Sequence, residues 1–248
     1  MLNLKISLIT VCYNAEKTIR RCIESVAAQN YPNLEYIVID GQSTDNTARI
    51  IAEYMPKITK LISEPDNGLY DALNKGLALA TGDVVGILNA DDFFIHDRIV
   101  STIAQAFGYS GADIVYGNLN FVNQEGKVVR RWTSGMYKPG MFKWGWMPPH
   151  PTFYAKRKLF EQYGNYRLDY GSAADYELMM RFMHNQYFNI YYLNETFLHM
   201  QTGGISNKSL LNRVKVYRYD YKTIRNNNIK FPLLVLLLKP LRKVFQYF

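Results

Sequence analysis

The sequence predicts an α/β protein with a mainly parallel central sheet flanked by helices. Three observations carry this. Short apolar runs at residues 6–11, 36–39, 59–62 and 84–88 have the length of buried parallel strands. Between them, residues 16–29, 44–54 and 70–80 place apolar side chains three and four positions apart, the spacing of a helix that buries one face. Pro32, Pro56 and Gly82 break the chain where each helix gives way to the next strand.

From Asp113 onward the pattern changes. Residues 114–122 and 128–132 are strand-like, and 136–151, rich in Gly, Pro, Trp and Met with little periodicity, reads as a binding loop. Helical spacing returns at 156–163 and 173–184, and 187–192 resembles an edge strand. Neither an internal repeat nor a domain boundary interrupts this core. Residues 206–225 form a basic helix ended by Asn226, Asn227 and Asn228, and an apolar run at 231–238 leads into Lys239, Arg242 and Lys243.

The 248 residues, 48% of them hydrophobic, suffice for a real core. Charge is unevenly placed: residues 1–200 carry 19 Lys and Arg against 20 Asp and Glu, while 201–248 carry 10 against one. A near-neutral body disfavours a nucleic-acid binder and leaves a basic tail for a local anionic partner. The apolar, basic stretch 229–248 can lie in a membrane interface; the alternative is a helix packed on the body or on a second copy in a homodimer. Two cysteines, Cys12 and Cys22, exclude a disulfide framework and a Cys-rich zinc site, so a reducing, cytoplasmic setting at the inner face of the plasma membrane is expected. No signal peptide or spanning segment is read from the chain.

The chemistry lies in the carboxylates. Asp40 follows the second strand, and Asp91 and Asp92 follow the fourth, so a parallel sheet brings all three to one edge. Adjacent carboxylates repel, and a divalent cation holding a diphosphate compensates them. An Asp-Asp turn without a metal is the plainer alternative.

Six stretches then occur in a fixed order: Ser-Leu-Ile-Thr-Val-Cys-Tyr-Asn at 7–14, Asp-Gly-Gln-Ser-Thr-Asp-Asn-Thr at 40–47, and Ser-Glu-Pro-Asp-Asn-Gly-Leu-Tyr-Asp-Ala-Leu-Asn-Lys-Gly at 63–76. Gly-Asp-Val-Val-Gly-Ile-Leu-Asn-Ala-Asp-Asp at 82–92, Ala-Asp-Tyr-Glu at 174–177 and Gly-Gly-Ile-Ser at 203–206 complete them. In this order they resemble the family 2 glycosyltransferases, which have the GT-A nucleotide-sugar-binding fold. The resemblance covers roughly residues 6–206. It implies a catalytic domain over 1–205, with a nucleotide-binding half to about 120 and an acceptor half beyond, followed by the tail 206–248.

By this resemblance Thr10, Tyr13 and Asn14 form the first nucleotide-binding loop, with Asp40 accepting a hydrogen from the base, most simply uracil N3–H. Asp66 and Asn74 are further nucleotide contacts, and Asp91 suits the ribose hydroxyls. Asp92 is the expected ligand of Mn²⁺ or Mg²⁺, with His199 as an additional one; Asn89 stands where the family's longer motif has an acidic residue. Asp175, opening a helix, is the expected catalytic base. The resemblance implies one inverting displacement, from a nucleotide-diphosphate sugar, UDP favoured, to a saccharide hydroxyl. Trp146 and His150, in an aromatic-rich loop ahead of Asp175, read as an acceptor wall, with aromatic packing under the sheet as the alternative, and Gly203 and Gly204 are further expected acceptor contacts. The chain lacks the Gln-x-x-Arg-Trp motif of processive synthases, so transfer of a single sugar to a polyprenyl-diphosphate-linked saccharide in cell-surface polysaccharide assembly, of lipopolysaccharide or capsule type, is expected. A catalytically inactive nucleotide-sugar-binding scaffold is the alternative.

Overall fold

A computed structural model describes residues 4–202, 210–244 and 246. The chain opens with β1 (Ile6–Cys12), α1 (Ile19–Ala27), β2 (Leu34–Asp40), α2 (Thr47–Glu53), β3 (Lys60–Ser63), α3 (Leu69–Leu79) and β4 (Val84–Ile87). These are the predicted βα units. All seven β1 residues are buried because β1 lies inside the sheet, paired in parallel with β2 and β4 and covered on both faces. Strand alternation sends Ile6, Leu8 and Cys12 to one apolar cluster and Ile9 and Val11 to the other. Helix α1 docks through Ile19, Cys22, Ile23 and Val26, the i, i+3, i+4, i+7 stripe.

The second half comprises β5 (Asp92–Phe94), α4 (Ile99–Ser110), β6 (Ile114–Val122), β7 (Val128–Trp132), β8 (Tyr154–Lys156), α5 (Arg157–Tyr163), α6 (Ala174–Met183), β9 (Ile190–Gln201), α7 (Leu210–Asn226) and α8 (Pro232–Val244). Among the described residues, the strands make one sheet in the order β3-β2-β1-β4-β8-β6-β9-β5, with β7 paired to β6. Parallel pairing holds for the first four strands and for β6 with β9, whereas β8 pairs antiparallel with β4 and β6, β5 with β9, and β7 with β6. The sheet is therefore mixed beyond β4. Strand β9 also departs from expectation: it lies between β6 and β5, twelve residues long, and is not an edge.

Helices α7 and α8 fold back onto the body. Ile224 and Val235 are buried in the same cluster as Tyr170 and Tyr176. Gly145 shows how closely α8 approaches: it has φ +73°, and a Cβ there would lie 2.5 Å from the Lys239 nitrogen. No helix among the described residues is long and apolar enough to cross a membrane.

Candidate active site

The carboxyl ends of β1, β2 and β4 lie side by side, which places the loops after each strand on one edge. Asn14, at φ +50°, locks the first loop to the second: its Oδ1 accepts from the Thr44 N–H at 2.9 Å, and its own N–H donates to Ser43 Oγ at 2.9 Å. Tyr13, next to it, is 63% exposed and presents its ring at the rim. A Cβ at Gly41 would sit 2.4 Å from Asp66 Oδ2 and 3.4 Å from the Tyr13 ring, so only glycine lets these two groups flank one opening. Asp66 Oδ1 accepts from the Gly68 N–H, leaving Oδ2 toward that opening.

Two expected nucleotide contacts are core or loop-building residues. Thr10 is fully buried, its hydroxyl bonded to Tyr36, because strand alternation turns it toward the α1 side of the sheet. Asp40 is also fully buried and accepts from Ser43 Oγ at 2.5 Å, from the Ser43 N–H and from Ser63 Oγ at 2.6 Å. It ties the loop after β2 to the end of β3. Asn74 spends its amide on one backbone, donating to Tyr166 O at 2.9 Å and accepting from the Tyr166 N–H at 3.0 Å. It clamps the Tyr166 backbone.

Asp91 and Asp92 follow β4 as expected. Asp92 is 1% exposed; Asn89 Nδ2 donates to its Oδ2 at 3.0 Å, while Asp92 Oδ1 and Asn89 Oδ1 are buried with no hydrogen-bond partner. Burial and the neighbouring Asp91 push the Asp92 carboxyl well above the usual carboxylate range, and burial raises Asp91 as well. Orphaned buried oxygens beside two adjacent carboxylates fit a divalent cation. Among the described residues no group of three or more acidic, His or Cys side chains converges, so Asp91 and Asp92 are the carboxylates that would hold such a cation. His199 does not join them. It pairs across β5–β9 with Phe93, its ring edge-on at 5.3 Å, and consecutive strand residues face opposite ways, so it points away from the Asp92 carboxylate.

Asp175 lies in the first turn of α6, where the helix dipole favours an anion, and accepts from the Tyr176 N–H at 2.7 Å. It lines a cavity of about 440 Å³ with Trp132, Met147, Tyr176, Asp220, Lys239 and Lys243. Glu177, two positions on, is turned away into an ion pair with Arg181 at 2.9 Å. Behind Asp175 stand Tyr70 and Tyr166, rings 5.5 Å apart, both hydroxyls pushed up by burial and by the Asp175 charge.

Of the expected acceptor wall, His150 is interior, whereas Trp146, though largely buried, lines a cavity of about 540 Å³. His150 is buried, its Nε2 2.7 Å from the Tyr166 hydroxyl; burial lowers its pKa while Asp175 opposes that shift. Trp146 is 5% exposed, packed against Tyr116, Tyr137 and Phe142, with Nε1 donating to Ser134 O. Within the 136–151 stretch Tyr137, Phe142 and Trp146 cluster with Tyr116, because aromatic rings bury more area together than apart, while Met136 and Trp144 stay exposed. Gly203 and Gly204 lie outside the described residues. Tyr70, Trp132, Tyr166 and Lys239 border the site without having been expected; Tyr70 alone had a signal, lying inside the 63–76 motif.

The family description "Glycosyl transferase family 2" matches residues 7–189. The chain belongs to that family. A glycosyltransferase of Mycobacterium tuberculosis (strain H37Rv) is 31% identical over 192 residues, covering 71% of this chain and 68% of the relative. A PGL/p-HBAD biosynthesis glycosyltransferase of the same organism is 28% identical over 217 residues, 81% of this chain and 78% of the relative. Among solved structures, S. aureus TarS 1–349 in complex with UDP-GlcNAc superposes with TM-score 0.70 at 19% identity, covering 98% of this chain and 73% of that one. The mannosyltransferase PcManGT of Pyrobaculum calidifontis, in complex with GDP-Man and Mn²⁺, gives TM-score 0.65 at 20% identity, over 95% and 69% of the two chains. The fold is the GT-A type, and the protein is a family 2 glycosyltransferase.

Proposed function

We propose that this family 2 glycosyltransferase moves one sugar, with inversion, from a UDP-sugar to a hydroxyl of a polyprenyl-diphosphate-linked saccharide at the inner face of the plasma membrane. The observation that carries it is the placement of Asp175: a carboxylate in the first turn of α6 that lines a cavity. The acceptor O–H gives its proton to Asp175 as its oxygen attacks the anomeric carbon. The anomeric C–O bond to the diphosphate breaks on the opposite side, and the nucleoside diphosphate leaves. A divalent cation, when bound by Asp91 and Asp92, supplies charge neutralisation at the leaving diphosphate. Tyr13 stacks on the base and Asp66 Oδ2 accepts its imide N–H, a role that Asp40 is too enclosed to fill.

Helix α8 supports the membrane part. Its inner side carries Val235, Leu236 and Lys239 onto the body, while Leu233, Leu234, Leu237 and Leu241 are 45–72% exposed at helical spacing. Deleting 229–248 would therefore remove a wall of the Asp175 cavity along with any membrane contact. Release of UDP, GDP or dTDP from matching sugar nucleotides, measured with a short-chain polyprenyl-diphosphate saccharide, tests the assignment. Acceptor-dependent release of UDP that is lost in Asp175→Asn is expected; release that persists in that variant overturns Asp175 as the base.

A further inference from the structure

Beside the Asp175 cavity, and sharing Trp132, Met147, Lys239 and Lys243 with it, lies a second cavity of about 540 Å³. Its walls come from β7 and the segment after it, from the Gly145–Met147 turn and from the last turns of α8, and they carry Arg131, Lys239, Arg242 and Lys243 with no carboxylate. Lys239 is neutralised on its far side by Asp220 at 2.8 Å. Among the described residues, Arg131, Arg242 and Lys243 have no carboxylate within ion-pair distance. Three unneutralised cations facing one concave space repel one another, and partial desolvation with the neighbouring Lys239 and Arg130 lowers the pKa of the Lys243 ammonium. The situation mirrors Asp91 and Asp92 with the sign reversed: the fold holds like charges together where a ligand of opposite charge compensates them.

We infer that this cavity binds the phosphate or diphosphate group of a lipid-linked acceptor, holding the acceptor's sugar against Asp175 in the adjoining cavity. The inference rests on the transferase assignment and deepens it. Continuity of the two cavities supplies the path from anion to reacting hydroxyl. The exposed leucines on the outer side of the same helix put a lipid phase within reach of the anion's other end. Trp132 and Met147, at the shared rim, offer an apolar surface for the intervening sugar.

The test is calorimetric titration of inorganic pyrophosphate in EDTA and low salt, where the acidic donor edge has no metal to hold it. Wild type is compared with Arg242→Ala/Lys243→Ala and with the charge-keeping Arg242→Lys/Lys243→Arg, all checked for folding by circular dichroism. The alanine pair is expected to weaken binding at least about tenfold, roughly 1.4 kcal/mol, while the charge-keeping pair stays near wild type. No binding by wild type, or equal binding by wild type and the alanine pair, overturns the inference. Vesicles of phosphatidylglycerol separate the two phosphate sources: if the alanine pair loses vesicle binding with pyrophosphate binding unchanged, the cations serve bulk headgroups and the inference is wrong. Titration of UDP with Mn²⁺ in the same proteins reads the donor site independently, so its failure overturns the proposed UDP donor without touching the pyrophosphate result.

Discussion

The donor edge and the acceptor side carry charge of opposite sign and hold it by different means. On the edge proposed for the donor, Asp40 is wrapped in hydrogen bonds from Ser43 and Ser63, and Asp45 accepts from the Thr47 and Glu16 N–H groups, so these two carboxylates build loops. Asp66 and Asp92 each keep an oxygen that no hydrogen bond claims. On the acceptor side the charge comes from a helix that returns from the end of the described chain, and its cations face a cavity directly. The difference teaches that a carboxylate at a strand end is as often part of the scaffold as part of the chemistry. Hydrogen-bond satisfaction separates the two roles.

The largest expected effect separates the two sides by function. Asp175→Asn is expected to lower kcat about 10³-fold, the scale of a lost general base, with UDP affinity unchanged; steady-state kinetics beside nucleotide titration checks both. A comparable loss of UDP affinity would mean that Asp175 belongs to the donor site.

Next comes a buried charge outside the site. Glu35, 2% exposed, would be raised by burial, but hydrogen bonds from Ser7, the Thr81 N–H and hydroxyl and Lys60 outweigh this and bring its pKa down to about 2. A depressed folded pKa gives stability that is present above pH 4.5 and lost as pH falls toward 2. That loss is about 3 kcal/mol. Chemical denaturation from pH 7 to 3 should show about 2 kcal/mol of it in wild type, with Glu35→Gln less stable at pH 7 and flatter with pH.

Asp92→Asn should weaken Mn²⁺-promoted UDP binding by about 10- to 100-fold. In the metal-free protein the same change removes an uncompensated buried charge, so Tm is expected to rise; scanning calorimetry with EDTA reads this. A fall in Tm would show that Asp92 is satisfied without a metal. The smallest effect concerns the outer side of α8: Leu233→Glu/Leu237→Glu should weaken binding to anionic vesicles about tenfold without altering UDP binding.

Much of the donor half was legible in the sequence because its signals are local. The strands and helices through β4 follow from periodicity, and the ends of β2 and β4 place Asp40 and Asp91 on one edge. What local pattern cannot reveal is which way a side chain is already committed. Thr10 and Asp40 are motif residues whose hydroxyl and carboxylate are consumed by Tyr36, Ser43 and Ser63, partners set by tertiary contact. The acceptor half was harder for the same reason. Trp146 and His150 look like a sugar wall in sequence, yet their partners Tyr116 and Tyr166 bury them, and the short β8 that makes the sheet mixed has only three residues of signal. The basic tail reads in sequence as a membrane segment or a packed helix; α8 packs Val235 and Leu236 on the body and leaves Leu233, Leu234, Leu237 and Leu241 exposed.

The most direct test is calorimetric titration of UDP, with and without Mn²⁺, into wild type, Asp92→Asn and Asp175→Asn, paired with single-turnover sugar transfer by each. Metal-promoted binding in wild type and Asp175→Asn, its loss in Asp92→Asn, and transfer by wild type alone are the predicted results. Metal-independent binding of equal strength in all three, or transfer by Asp175→Asn at the wild-type rate, would contradict the division of labour between the two sides.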